Sequence, residues 1–332
     1  MGRGAPASDG VGGSGGAKPP GLTRREWIRG AAQAAIAGAI AGQTGARTLA
    51  RGGPAAAQRR PPVFCFFSKH LPDLNWSDLG RAAKDAGFDG VDLTVRPNGH
   101  VLPERAAAEL PGAIDAIKSH GVTVPMITTD LTSATVPVAK PLLEAAARSG
   151  VRYFKTGYWR FSSSADVRSQ VDAAGEALAG LAALARDCGI ELGFHNHAAY
   201  IGAALWDIAP AIDRLDARWA GYYFDPRHAV AEGGAGAWKA AVLLVLPRLK
   251  MIALKDFYWH RTVKGWEVHD CPLGEGMVDW AWFGSAIAKT QFAGPVSLHF
   301  EYDIPGSTPA ERTRRTLEAA TRDLAAARRF LK

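Results

Sequence analysis

The stretch GIELGFHNHAAY, Gly189 to Tyr200, runs as an apolar strand and then closes on two imidazoles and an amide, His195, Asn196 and His197. The same arrangement recurs along the chain. Short β-rich runs end in side chains able to move protons, hold oxyanions or ligate metals: Lys69 and His70, Arg96 and His100, Thr129 and Asp130, Lys155, Asp225 and His228, Lys255 and Asp256, Glu301 and Asp303. A carboxylate, an imidazole and an ammonium in one pocket are the working parts of general acid–base catalysis. Asp, Glu and His together also suit a hard or borderline divalent ion such as manganese, cobalt, zinc or magnesium. Polar loop starts that share no common site are the plainer alternative, and the number of converging sets weighs against it.

The elements that must position these groups are legible from hydrophobic rhythm. Strands are expected over 63–68, 90–95, 122–128, 152–157, 190–195, 220–225, 251–256 and 296–301. Between them lie Ala-rich stretches with helical spacing and a Gly at or just past their ends, such as VAKPLLEAAARSG. Eight strands alternating with eight helices predict a single-domain (β/α)8 TIM barrel over residues 61–332, whose active site belongs at the C-terminal strand ends. A doubly wound open sheet is the runner-up, weakened because no G-x-G-x-x-G follows the first strand. Side chains alternate along a strand, so His299 should share the inward side with Glu301, His197 with His195, and Lys255 with Ala253. The stretch 257–278 is long enough to act as a lid.

The formal charge of +7 resides entirely in residues 1–60, which hold nine Lys or Arg against two acidic residues. The remainder is balanced, so no nucleic-acid partner is implied. Residues 1–60 begin as a low-complexity segment and continue with Arg24 and Arg25, a weakly apolar run from Ala31 to Ala41, and an A-x-A site at Ala55–Ala57. That order outlines a twin-arginine export signal and predicts a periplasmic or extracellular protein. The run is too short for a stable membrane span, which needs about 20 residues. Cys65, Cys188 and Cys271 make no disulfide framework and no thiolate zinc motif.

From about residue 62 to 330 the chain resembles the xylose-isomerase-like barrel superfamily of sugar phosphate isomerases and epimerases, which also includes dehydratases and endonuclease IV. The words that carry the resemblance are AKDAGFDGVDLTVRPNGHVLPE, LGFHNH, FDPRHA, LKD, LGEGMVDW and LHFEYD. It implies one divalent ion held from strands five to eight by Glu, Asp, His and Glu; the corresponding positions here are His195, Asp225, Ala253 and Glu301. Two of the four depart, and Ala253 cannot ligate. The set expected here is His195, Asp225, Glu301 and His299, with His228 and His197 open as substitutes. The resemblance also implies proton abstraction beside a carbonyl through an enediolate, with Glu301, Lys255, His197 and His228 as catalytic candidates. Substrate contacts are expected from His70, Arg96, His100, Lys155 and Trp159. The leading expectation is an exported isomerase or epimerase of a small sugar or keto-sugar, its oligomeric state open. A lyase or dehydratase of the same fold and a non-catalytic sugar-binding barrel are the alternatives. An endonuclease is disfavoured by the balanced charge.

Overall fold

The computed structural model describes residues 61–332; the expected export signal lies outside the described residues. Eight parallel strands close into a barrel: β1 (Val63–Phe67), β2 (Gly90–Val95), β3 (Thr123–Thr129), β4 (Tyr153–Lys155), β5 (Glu191–His195), β6 (Ala220–Phe224), β7 (Leu249–Leu254) and β10 (Pro295–Leu298). Around the barrel they follow the order β1-β10-β7-β6-β5-β4-β3-β2, so each strand pairs with its chain neighbours and β10 closes on β1. Strands such as GVDLTV and AGYYF are buried at every position, because one face fills the barrel and the other meets the helices.

The helical layer comprises α1 (Trp76–Asp85), α2 (Ala106–Lys118), α3 (Ala139–Arg148), α4 (Val167–Cys188), α5 (Ala209–Asp213), α6 (Pro226–Val245), α7 (Trp280–Ala288) and α8 (Pro309–Phe330). Side chains of Asn75, Asp166, Asp225, Asp279 and Thr308 cap five of their N-termini. One segment, Pro226–Arg248, is long and apolar enough to cross a membrane. Here it is the barrel helix after β6, interrupted at Gly234 by a positive φ of 60° and buried through Val230, Trp238, Val242 and Val245.

Inside the barrel the layers grade from apolar to charged. Met126, Tyr153, Tyr223, Met251 and Ala253 form a separate cluster. Asp92 is buried and accepts hydrogen bonds from Thr128 Oγ1 at 2.8 Å and Ser297 Oγ at 2.7 Å. Burial pushes its carboxyl up to about 6 against those two hydrogen bonds.

The stretch expected only as a lid is an antiparallel hairpin, β8 (Asp256–Thr262) with β9 (Gly265–Cys271). Its register runs from Asp256 opposite Cys271 to Thr262 opposite Gly265, around a two-residue turn, Val263 and Lys264. Strand β7 accordingly ends at Leu254, before the expected Asp256. Asp256 anchors the loop that follows the hairpin. Its carboxylate accepts from the backbone N–H groups of Phe257, Gly274, Gly276 and Val278, and from Trp280 Nε1 at 2.7 Å. A Cβ at Gly276 would overlap both that carboxylate and the Phe257 carbonyl. The LGEG turn is therefore a packing requirement, and Glu275 within it is exposed.

Candidate active site

At the C-terminal mouth of the barrel lies a cavity of about 90 Å³, lined by Phe67, Lys69, Arg96, Thr128, Lys155, Tyr158, His195, His197, Tyr223, Lys255, His299 and Glu301. Larger grooves lie elsewhere, including one between α4 and α5. They carry no convergent set of proton-transfer groups, so the small cavity is the candidate chemical site.

Lys255, just past β7, stands at its centre. Its ammonium lies 3.3 Å from Asp225 Oδ2 and 3.1 Å from Glu301 Oε2, and is almost wholly buried. Glu301 is clamped from its other side by Lys69 Nζ at 2.9 Å. Burial raises the Glu301 carboxyl, but the Lys255 ammonium, with His299 and Lys69, overrides it and holds the group well below the usual range. Asp225 shows the same balance, burial opposed chiefly by Lys255, and is likewise ionised.

The strand-five tip supplies the second arm. His195 Nε2 lies 3.4 Å from Asp225 Oδ2, and its Nδ1 meets the Tyr158 hydroxyl at 2.8 Å. A carboxylate beside Nε2 fixes the proton there, so Nδ1 accepts from the tyrosine. Burial drives the imidazole down to about 3 despite Asp225, so it is neutral at physiological pH. Asn196 braces this arm: its side chain exchanges two hydrogen bonds, 2.8 and 2.9 Å, with the Asp225 backbone. Asp225 also caps α6 through the His228 N–H at 3.1 Å. The FDPRH word thus combines a cap, a Pro in the first turn and a buried imidazole. His228 Nδ1 accepts from the Ala198 N–H, which leaves its Nε2 without a hydrogen bond, 3.7 Å from Asp225 Oδ2. The His197 ring packs on it at 4.0 Å. His299 Nε2 bonds the Tyr223 hydroxyl at 3.1 Å, while its Nδ1, also without a bond, sits 4.0 Å from Glu301 Oε1.

The expected residues therefore divide. Glu301, Lys255, His195, His197, His299, Lys155 and Arg96 line one cavity, and Asp225 and His228 lie against it. Three expected substrate contacts do not. His70 lies in the 3₁₀ turn after β1, where its Nε2 accepts the Phe300 N–H at 3.0 Å between the rings of Phe67 and Phe300. His100 has both nitrogens engaged, with Thr94 Oγ1 and the Leu71 carbonyl. Trp159 stacks on Phe194, and its neighbour Tyr158 faces the cavity instead. Sequence reading passed over Tyr223, and named Asn196 and Lys69 at strand ends without giving either a role, the second of these being the other clamp on Glu301.

The profile of xylose isomerase-like TIM barrels matches residues 81–323. The chain belongs to the xylose isomerase-like TIM-barrel family. Among solved structures, it is similar to D-psicose 3-epimerase with D-tagatose from Clostridium cellulolyticum H10, with a TM-score of 0.62 and 14% identity over 81% of this chain and 99% of that one. A Mycobacterium smegmatis member in complex with magnesium gives 0.58 and 16% over 81% and 98%. The probable 3-DHS dehydratase of Bacillus anthracis gives 0.59 and 13% over 78% and 98%. The comparison with curated proteins gave no match.

Members of this family commonly bind a divalent metal, and the expected ligands here do share a pocket. Their arrangement does not fit one. The Lys255 ammonium lies between Asp225 and Glu301, directing positive charge at the two carboxylates that a cation would need. His195 turns a protonated nitrogen toward Asp225, and Ala253 offers no donor. Among the described residues no group of three or more His, Cys, Asp or Glu side chains is placed to hold a metal ion. The set His195, Asp225, Glu301 and His299 is thus wired as a salt-bridged cluster around a lysine, since a cation of the chain's own compensates both carboxylates.

Proposed function

We propose that this xylose isomerase-like barrel is a sugar isomerase or epimerase that moves a proton beside the carbonyl of a small keto-sugar, with Lys255 providing positive charge at the developing oxyanion. The carrying observation is the carboxylate of Glu301 held between two ammonium groups in a cavity at the barrel mouth lined by proton-transfer groups. Glu301 takes the proton from the carbon next to the carbonyl. The electron pair moves onto the carbonyl oxygen, which Lys255 and Lys69 stabilise as negative charge grows.

In the free site the two ammonium groups make Glu301 a weak base. A substrate oxygen that takes their hydrogen bonds returns basicity to the carboxylate when the proton must move. The opposite wall carries the second proton-handling group. Glu301 follows β10 and Tyr158 follows β4, four places apart around the eight-strand barrel. The Tyr158–His195–Asp225 chain can therefore serve the face of the substrate that Glu301 does not. Return of the proton by Glu301 to the neighbouring carbon gives isomerisation; donation of the Tyr158 hydroxyl proton from the other face gives epimerisation, Glu301 then releasing its proton to water and the Tyr158 phenolate regaining one from it. Loss of a leaving group from the same enediolate gives the dehydratase reading, supported by the likeness to a probable dehydratase. The arginine pair and A-x-A site in residues 1–60 support export by the twin-arginine route, hence a neutral or acidic free sugar in the periplasm.

Deuterium incorporation from labelled water into a panel of ketoses tests the reading. Wild-type protein is expected to label the carbon beside the carbonyl, and Glu301→Gln to do so about 10²–10⁴ times more slowly, the usual worth of a positioned acid–base group. Sugar binding without any exchange would leave a binding barrel, and an unsaturated product would select the dehydratase.

A further inference from the structure

The charges of the cavity are distributed unevenly between its walls. On the side built from β1, β10, β7, β6 and β5, the charged groups are paired: Lys69 and Lys255 on Glu301, and Lys255 on Asp225. On the side built from β2, β3 and β4, two cations have none. Arg96 and Lys155 line the same cavity with Thr128 between them in barrel order, yet neither makes an ion pair with any described residue. Arg96 stands beside the Phe67 ring at 5.9 Å. The Lys155 ammonium is almost fully buried, 3.4 Å above the Tyr158 ring, and its hydrogen-bond partner is the Thr129 carbonyl at 3.5 Å.

Their nearest buried acid does not neutralise them. Asp92 lies below, with its oxygens taken by Thr128 and Ser297. Asp130, which also faces Lys155 electrostatically, is exposed to solvent. A buried ammonium without a counter-ion is costly, and burial, with Arg96 nearby, pushes that of Lys155 well below its ordinary range. Such a wall is stable when an anion completes it.

We infer that Arg96 and Lys155, with the Thr128 hydroxyl between them, form an anion subsite that takes a carboxylate or phosphate on the substrate. The inference rests on the sugar-enzyme reading and narrows it to acidic sugars. It also divides the labour of the cavity: the β2–β4 wall holds the anionic end, and the Glu301 wall faces the reacting carbon. Arg offers a planar fork matched to either anion, and Lys155 adds a charge that becomes fully favourable only when the anion is present.

Matched ligand pairs test this on the full-length protein: a hexose, its uronate and its 6-phosphate, titrated calorimetrically into wild type, Arg96→Gln and Lys155→Arg. The acidic sugars are expected to bind wild type at least about tenfold more tightly than the neutral one, a difference near one pairing's worth. That ratio should collapse towards unity in Arg96→Gln and fall less in the charge-conserving Lys155→Arg. Whichever of uronate and phosphate binds more tightly identifies the anion. Equal affinity for neutral and acidic sugars, or an acid preference that survives in Arg96→Gln, overturns the subsite while leaving the sugar enzyme standing. If no sugar binds, acetate and inorganic phosphate decide: a saturable, Arg96-dependent thermal shift upholds the subsite and sinks the sugar reading, and no shift sinks both.

Discussion

Replacing Lys255 by Met keeps the length and apolar stem of the side chain and removes its charge. Contacts of 3.3 Å to Asp225 and 3.1 Å to Glu301 each correspond to roughly 5 kcal/mol of Coulomb energy at an effective dielectric of about 20. Water entry and relaxation absorb much of this, and breaking a buried pair by removing one partner costs about 3–5 kcal/mol. The variant should lose that much stability at pH 7 in urea unfolding. The pH dependence is the sharper readout. In the wild type both carboxyls are held well below their unfolded values. Their contribution is present above pH ~4.5 and lost only as pH falls further towards the folded values, so between pH 8 and 5 it is flat. Without the ammonium, burial dominates and at least one folded carboxyl rises above its unfolded value. The folded variant then binds the extra proton, so its stability relative to wild type should increase as pH falls from 8 to 5, by at most about 1.4 kcal/mol per pH unit per group, while the buried neutral histidines lower the stability of both proteins below pH ~6.5. A variant whose stability follows the same pH course as the wild type, or one that loses less than about 1 kcal/mol, a surface pair's worth, would refute the central role given to Lys255.

Three further outcomes follow from the same geometry. Gly276→Ala should destabilise the protein by about 1–3 kcal/mol and expose the post-hairpin loop to protease, because the added Cβ meets the Asp256 carboxylate. Ala253→His with Lys255→Ala should acquire manganese binding measurable by electron paramagnetic resonance, whereas wild type and each single variant should bind at least about tenfold more weakly. Tyr158→Phe should slow epimeric labelling by about 10²-fold and leave exchange at the Glu301 face largely intact.

The barrel was readable because each of its strands is buried on two sides, which concentrates apolar and β-branched residues into runs bounded by helices. Alternation then correctly paired His299 with Glu301 and His197 with His195 on the cavity side. Beyond the ladder its guidance is uneven: His197, His299 and Glu301 lie past the ends of β5 and β10 and still face the cavity. His70 and His100 lie in turns beyond β1 and β2, where local backbone geometry swings each ring into packing and hydrogen bonds. Trp159, expected as a substrate contact, likewise packs on Phe194, and Tyr158 beside it lines the cavity. Ala253 announced a departure from the family's metal set, but the seating of Lys255 between two carboxylates depends on the spacing of β6, β7 and β10, which no single strand records. The hairpin was missed because most of its residues are exposed, Tyr258, Trp259 and Trp266 among them, so it carries no buried apolar stripe.

Exchange of deuterium into the sugar in buffer stripped of metals with a strong chelator tests the central claim most directly. An ammonium that supplies the site's positive charge predicts the same exchange rate in chelator as in added manganese, and loss of that exchange in Lys255→Met. Exchange that vanishes in chelator and returns with manganese would contradict it.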